Sequence, residues 1–177
     1  MLEPEADLMN NDLPYRPCVG VALVNRQGEA FIGHRKRKRN GEALNERSWQ
    51  MPQGGIDEGE EPLEAARREL WEETNVRSIE LIAELPQWLN YDLPEGARVR
   101  WAGRYRGQSQ KWFLFRFMGQ DTEIDVLFPA HGKHGAEFDA WRWECFERLP
   151  DLVVPFKRKV YETVAAAFAP LARLAER

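Results

Sequence analysis

The apolar positions of this chain fall into short clusters that predict β-strands on both sides of one strongly polar helical segment. An apolar run at residues 19–25 precedes a Gln27-Gly28 turn and a second run at 30–33, which predicts a strand, a turn and a strand. Residues 48–52 predict another strand, which leads into a tight glycine turn at 54–55. The first third of the chain is therefore expected to contribute several strands to a sheet.

The second half of the chain carries further strand patterns and an aromatic segment. The strand patterns cover residues 78–85, 111–118 and 138–143. Trp88, Tyr91 and Trp101 belong to the aromatic segment, in which residues 92–96 have the composition of a turn. We expect the three strand patterns to join the same sheet as the earlier strands.

Two segments have the periodicity of helices. The polar one is expected at about residues 61–74, because Pro62 suits the first turn of a helix. The other covers residues 156–174, where apolar side chains recur at helical spacing and Pro170 predicts a kink or local break. Mixed strands with two main helices are typical of an α/β/α sandwich.

Composition supports one compact domain. The chain has 177 residues, of which 43% are hydrophobic and 11% aromatic, enough to form a substantial core. We expect that domain at residues 14–177, after a flexible leader at 1–13. Cys18 and Cys145 lie far apart and lack metal-binding spacing, so both are expected to be free, buried thiols, which fits a reducing cytoplasm.

The distribution of charge narrows the possible partners. A formal net charge of −4 argues against binding nucleic acid across the whole surface, so DNA is not an expected partner. The basic run His34–Arg39 is either a solubilising loop or a loop that attracts phosphate. No apolar stretch reaches the length of a membrane span, and the acidic N-terminus does not resemble a signal peptide. A cytoplasmic protein without a membrane partner is expected.

Three glutamates in the polar helix carry the clearest chemical signal. Glu69, Glu72 and Glu73 fall within an arc of about 100° on one helix face, where like charges repel unless a cation neutralises them. Hard oxygen ligands of this kind suit Mg²⁺ or Mn²⁺. The alternative is an ordinary solvated helix, since Glu64 and Glu72 each stand four residues from Arg68 and can form weak surface pairs.

The wider spacing favours the metal site. Gly54, five residues, Glu60, seven residues, Arg68-Glu69-Leu70, one residue and Glu72-Glu73 resemble the signature of the Nudix hydrolases. Asn75 stands where that signature has its second glycine, and Asn tolerates the left-handed backbone found just past a helix.

Flanking segments extend the resemblance over about residues 14–168. They are residues 15–17, 49–56, 107–113, 137–143 and 156–161. Together they resemble the bacterial RNA pyrophosphohydrolases and the similar diadenosine polyphosphate hydrolases. The resemblance implies an α+β fold, the Nudix-type α/β/α sandwich with a mixed β-sheet, and hydrolysis of a phosphoanhydride by water with bound Mg²⁺ or Mn²⁺.

The resemblance also implies roles for individual residues. Metal ligands would be the Gly54 carbonyl and the side chains of Glu69, Glu72, Glu73 and Glu137. Glu72, Glu73 and Glu137 would be catalytic, with Glu137 a ligand or general base; a simply solvated loop residue is the alternative for Glu137. Glu60 and Arg68 would brace the loop and helix that hold the acids.

Substrate contacts are expected from basic, amide and aromatic side chains. Arg16, Arg35, Gln108 and Lys111 are the candidates for phosphate. Phe156 resembles a base-stacking residue, although a core position is its alternative, and Tyr91 is a second stacking candidate if a dinucleotide bridges the site.

Three functions remain open from the sequence. The protein would remove pyrophosphate from the 5′-triphosphate end of RNA and so initiate mRNA decay, or it would hydrolyse dinucleoside polyphosphates such as diadenosine tetraphosphate asymmetrically, to ATP and AMP. The third possibility, a non-catalytic nucleotide-binding scaffold, is disfavoured because the four candidate acids are all present. A regulatory protein partner is possible in each case, and the sequence does not identify one.

Overall fold

The computed structural model describes residues 12–36, 48–94 and 103–174. The strands in these ranges are β1 Tyr15–Val24, β2 Ala30–Arg35, β3 Trp49–Gln50, β4 Gln53–Gly55, β5 Ile79–Glu84, β6 Leu89–Asp92, β7 Gly107–Phe117 and β8 Phe138–Glu144. The α-helices are α1 Pro62–Thr74, α2 Leu149–Leu152 and α3 Arg158–Leu174. Short 3₁₀ turns separate the later elements, including one at Pro155–Lys157.

The strands form one mixed sheet with β1 and β7 at its centre. Its main path runs β3-β2-β1-β7-β5, while β4 pairs with β1, β6 with β7 and β8 with β2. β1 and β7 are parallel over the whole of β1, and the other pairs are antiparallel. On the second edge of β1, β4 pairs with residues 18–20 and β2 with Val24, so β4 and β2 share that edge.

Each face of the sheet is covered by one long helix. The α1 face packs Ala65, Ala66 and Leu70 against a cluster that includes Val21 and Phe113. The opposite face packs α3 against a second cluster, with the Trp112 and Tyr161 rings edge to face at 5.8 Å. Successive residues of β1 and β7 alternate between the two clusters, as the period of a strand requires. The expected α/β/α sandwich with a mixed sheet is confirmed.

Most predicted elements are present, with shifted bounds. β7 begins at Gly107, and β6 occupies part of the aromatic segment, including Asp92, which the sequence assigned to turn material. The strand expected at 48–52 is only two residues long. α3 continues through Pro170 as one helix; that residue is exposed near the helix end, where solvent can satisfy a freed carbonyl.

The glycine turn expected at Gly54 and Gly55 is a strand instead. Both residues belong to β4 and pair with β1, while the chain turns later, at Gly59, whose φ is +76°. Glycine is needed at 54 for close approach: a Cβ there would lie 2.0 Å from the Glu69 carboxyl carbon. A Cβ at 55 would lie 2.3 Å from the Arg16 guanidinium.

The ends of α1 follow the sequence. Pro62 occupies the first turn, and Asn75 closes the helix in the left-handed conformation with φ +68°, donating its backbone N–H to the Trp71 carbonyl.

Cys18 is buried and Cys145 partly buried, and both are free. Within the described ranges, no helix is long and apolar enough to cross a membrane. The leader through residue 11, the basic residues 37–39, Trp101 and the turn residues 95–96 lie outside those ranges.

Candidate active site

The acidic residues of α1 lie at the rim of the sheet because the helix buries its apolar side. Ala65, Ala66 and Leu70 have no exposed surface, which fixes the rotation of the helix. That rotation leaves Glu69 and Glu72 partly buried, with 14% and 19% of their side chains exposed, and Glu73 buried. We call Glu69, Glu72, Glu73 and Glu137 the acidic centre.

Arg68 ties the centre together. Its Nη1 donates to Glu69 at 2.8 Å and to Glu72 at 3.1 Å. Its Nε and Nη2 both donate to Glu60, at 2.8 and 2.9 Å, and Nη2 also donates to the Gly55 carbonyl at 2.8 Å. These contacts raise the pKa of Arg68 and, by hydrogen bonding, lower that of Glu60. The bracing role expected for Glu60 and Arg68 agrees with this geometry.

Glu73 is the most buried member of the acidic centre. One of its oxygens accepts the backbone N–H of Gln53 at 3.2 Å. Burial raises its pKa well above the ordinary value, and the neighbouring charges of Glu137 and Glu69 raise it further. Burial likewise raises the pKa of Glu69. Like charges have therefore been brought together where water cannot fully screen them.

Glu137 reaches the centre from the loop before β8. Its side chain lies 3.4 Å from Nη2 of Arg35, at the end of β2, and its carbonyl accepts the backbone N–H of Lys36 at 2.8 Å. The predicted approach of Glu137 from across the site therefore agrees with the fold, and Arg35 lies next to it.

The chemistry of this donor set fits a hard divalent cation. The carboxylates repel one another in a partly buried site next to β4, the strand that carries the Gly54 carbonyl. Carboxylate and carbonyl oxygens are typical ligands for Mg²⁺ or Mn²⁺. In the described ranges, however, no three acidic, histidine or cysteine side chains converge closely enough to form a ready metal cage. Arg68 lies between Glu69 and Glu72, so a shared ion requires those contacts to loosen. The ligand roles stay predictions.

A second set of polar groups lies on the α3 side of the sheet. It contains Gln50, Gln53, Tyr91, Gln108, Gln110, Phe156 and Lys157, which we call the glutamine pocket. Lys157 is 5% exposed and donates to the side-chain oxygens of Gln50 and Gln53 at 3.2 and 3.0 Å. Gln110 donates to Gln53 and Gln108 at 3.2 and 3.1 Å.

Sequence reasoning missed Lys157, the cation of this pocket. Burial lowers its pKa from 10.5 to about 7, while Glu73 and Glu137 act in the opposite direction. Lys157 follows Phe156 directly, and its position in an apolar helical segment gave no sign that the side chain turns inward. Gln50 and Gln53 were also missed, because a buried amide has no spacing signal.

The two separate stacking candidates, Tyr91 and Phe156, are neighbours in the structure. The rings of Tyr91 and Phe156 are 5.7 Å apart, and the Lys157 ammonium lies 5.6 Å from the centre of the Tyr91 ring. Tyr91 is buried, whereas Phe156 is 36% exposed and offers a face to solvent.

The four phosphate candidates are not all in one place. Arg16 packs against Gly55 and Arg35 lies beside Glu137, so both border the acidic centre. Gln108 is buried inside the glutamine pocket. The Lys111 ammonium instead donates to the Leu85 and Pro86 carbonyls, which anchors the β5–β6 connection. The structure thus places Lys111 apart from the pocket.

His134 is another residue without a sequence signal. It follows a turn in which Ala130 and His131 have positive φ, 51° and 55°. Its Nε2 lies 3.4 Å from Glu72, and its ring meets that of Trp71 edge to face at 6.4 Å. His134 therefore closes the outer side of the acidic centre.

Comparison with known proteins identifies the class. A model of the NUDIX domain matches residues 14–164, and the chain belongs to the Nudix family. An RNA pyrophosphohydrolase of Mesorhizobium japonicum is 58% identical over 163 residues, which cover 91% of this chain and 94% of the relative. An RNA pyrophosphohydrolase of Rhizobium meliloti is 55% identical over 92% of this chain and 98% of the relative.

Solved structures support the fold. The dihydroneopterin triphosphate pyrophosphohydrolase of E. coli superposes with a TM-score of 0.62 at 19% identity, over 86% of this chain and 98% of that one. An Ap4A hydrolase of C. elegans superposes with a TM-score of 0.56 at 17% identity, over 86% and 98%. At such identities the likeness concerns the fold alone. The resemblance to the Nudix family stated from the signature is confirmed.

Proposed function

We propose that this Nudix protein removes pyrophosphate from the 5′-triphosphate end of RNA. One observation carries the proposal: Gln53 joins the acidic centre to the glutamine pocket. Its backbone N–H binds Glu73, while its side-chain oxygen accepts from Lys157 and Gln110. A nucleoside that stacks on Phe156 would therefore hold its polyphosphate close to the acidic centre, because Gln53 alone separates the two sites.

Mg²⁺ or Mn²⁺ is the proposed cofactor, held by Glu69, Glu72, Glu73 and Glu137 with the Gly54 carbonyl. When bound, the ion screens the phosphate charge and lowers the pKa of a water ligand, which prepares the water for attack on phosphorus. The protein's own part is to hold the acids. Arg68 keeps Glu69 and Glu72 in register from one side, and Gln53 holds Glu73 from the other.

Cationic side chains would bind the polyphosphate. Lys157 lies near Glu73 and Glu137, Arg35 lies beside Glu137, and Arg16 lies over Gly55. We assign the removal of a proton from the attacking water to Glu137, because it belongs to a loop rather than to the braced helix.

The relatives favour RNA as the substrate, because those at 55–58% identity bear the name RNA pyrophosphohydrolase and span nearly the same length. Cleavage of a 5′-triphosphate end would leave a monophosphate and expose the transcript to decay. A cytoplasmic location is part of this proposal. Hydrolysis of a dinucleoside polyphosphate is the second candidate. It is favoured by the Tyr91–Phe156 pair, since either nucleoside of such a substrate can present a base there.

A substrate panel tests the proposal. Triphosphorylated RNA, diadenosine tetraphosphate and a plain nucleoside triphosphate should be compared with Mg²⁺, by following pyrophosphate, AMP and ATP release. We expect the highest kcat/KM on RNA. Turnover of the dinucleotide alone would contradict the RNA assignment, and turnover of none of them would contradict the enzymatic proposal.

A further inference from the structure

A cleft lies on the outer side of α1, next to the acidic centre, with which it shares Arg68. It measures ≈ 370 Å³ and lies between α1 and the segment that leads into β5. Its charged walls are Glu64, Arg67, Arg68 and Arg77, and its uncharged lining is Trp71, Val76 and Ile79. Arg68 is already paired with glutamates of the acidic centre, so the positive charge of the cleft comes from Arg67 and Arg77 against Glu64.

Two of these arginines have guanidinium groups available to a ligand. The Arg77 guanidinium lies 4.1 Å from the centre of the Trp71 ring, and no carboxylate of the described residues is within ion-pair distance of it. The Arg67 guanidinium lies 5.4 Å from the centre of the Phe115 ring and has a long contact to Glu64, at 3.7 Å, and 39% of its side chain is exposed. A guanidinium stacked on an indole keeps its in-plane N–H groups free for an anion.

Trp71 adds a surface for a planar group. It is partly buried, and its indole nitrogen is itself buried and has no hydrogen-bond acceptor among the described residues. Such a buried, unpaired donor costs free energy, and a ligand acceptor removes that cost where the ring shifts to expose the nitrogen. Val76 and Ile79 complete an apolar floor beside it. The combination of a planar apolar wall and two arginines suits a nucleobase joined to a phosphate.

The cleft is continuous with the acidic centre through two side chains. Arg68 lines the cleft and also binds Glu60, Glu69 and Glu72. Trp71 contacts His134, which in turn approaches Glu72. The cleft therefore shares Arg68 with the acidic centre, and Trp71 links it to His134 and Glu72.

We propose that this cleft binds a second nucleotide unit of the substrate, by base stacking at Trp71 and phosphate pairing with Arg67 and Arg77. This inference rests on the proposed function, because it assumes a substrate with more than one nucleoside. Two substrates supply the same chemistry: the far nucleoside of a dinucleoside polyphosphate, or a downstream nucleotide of triphosphorylated RNA.

Binding is tested without turnover by the Trp71 indole resonance. The chain has seven tryptophans, and the indole N–H signal that disappears in Trp71→Phe belongs to residue 71. Titration of AMP into the ¹⁵N-labelled protein should shift that signal, and Arg77→Ala should abolish the shift. Arg173→Ala is the matched control: it also removes one exposed arginine, but from α3 on the other face of the sheet. An unmoved Trp71 signal in the wild type would overturn the proposal.

Kinetics then identify the source of the nucleotide. Loss of one charged phosphate contact should raise KM about tenfold in Arg77→Ala. If the cleft binds the far nucleoside, KM should rise for diadenosine tetraphosphate but not for ATP. If it binds a downstream nucleotide, KM should rise for an eight-nucleotide triphosphorylated RNA. Unchanged KM for both would contradict the inference. A wild type inactive on every substrate would contradict the proposed function instead, while the indole titration still reports on the cleft.

Discussion

The acidic centre and the glutamine pocket meet at Gln53 but are built in opposite ways. Three of the four acids come from a single helical stretch, Glu69 to Glu73, and two of them, Glu69 and Glu72, share the cation Arg68. The pocket draws its groups from β3, β4, β6, β7 and the 3₁₀ turn at 155–157, and its contacts are between neutral amides and one buried lysine. The first is organised by local spacing, the second only by the tertiary fold.

This difference predicts different responses to substitution. In the acidic centre, charge is held under mutual repulsion, so removal of one carboxylate should affect catalysis far more than folding. In the pocket, every amide satisfies a buried neighbour, so changes there should affect both stability and substrate binding.

The largest effect is expected from Glu72→Gln. Loss of one carboxylate from the acidic centre should lower kcat at least about 100-fold while the thermal midpoint changes little. Pyrophosphate release from triphosphorylated RNA measures the first, and circular dichroism the second. Glu162→Gln in α3 is the matched control, since it also stands four residues after an arginine in a helix. Magnesium-dependent turnover equal in Glu72→Gln and wild type would refute the role of Glu72.

Arg68→Ala tests whether loss of a partly buried cation costs more stability than loss of a surface cation. Removal of its guanidinium takes away the cation that Glu60, Glu69 and Glu72 share and should lower the free energy of unfolding by about 1–3 kcal/mol. Arg158→Ala breaks two exposed pairs, with Asp151 and Glu162, and should cost less than about 1 kcal/mol. Urea unfolding measures both. Millimolar Mg²⁺ should recover part of the Arg68 loss, and equal losses in the two variants would show that Arg68 does not organise the site.

Phe156→Ala tests the stacking surface of the pocket. Loss of one stacked base should raise KM for RNA about tenfold with a smaller change in kcat. Phe128→Ala, which removes a 70% exposed ring elsewhere, serves as the control. A lower free energy of unfolding without a change in KM would instead identify Phe156 as a core residue, the alternative raised by the sequence.

The smallest expected effect is a pH dependence from Lys157. The pKa of Lys157 is about 7 in the folded protein and near 10.5 in the unfolded chain. Between pH 7 and pH 10.5, the unfolded chain therefore holds a proton on Lys157 that the folded protein has mostly lost. Stability contributed by this residue therefore rises with pH, by at most about 1 kcal/mol between pH 7 and 8. Urea unfolding of wild type and Lys157→Met at several pH values measures it, with exposed Lys159→Met as control. Parallel pH profiles for wild type and Lys157→Met would contradict the buried position.

The features that the sequence predicts correctly are those set by local spacing, whereas those it misses depend on tertiary contacts. The helix at 61–74, the left-handed Asn75 and the strands around them were predictable because spacing, capping and alternation are local properties. β6 was missed because a strand of four residues with one buried side chain has little pattern. Gly54 was misassigned to a turn because its need for space comes from Glu69, fifteen residues later. Lys157, Gln53 and His134 acquire meaning only from partners that are distant in sequence.

The central pairing of β1 with β7 has a consequence for synthesis. Val24 pairs beside Arg116, so about 90 residues separate the two strands along the chain. At roughly 5–20 residues per second, a ribosome would need several seconds to deliver β7 after β1 has emerged. During that interval the apolar segment from Val19 to Val24 is not yet paired with β7. We therefore expect the nascent chain to bind chaperones that shield exposed strands.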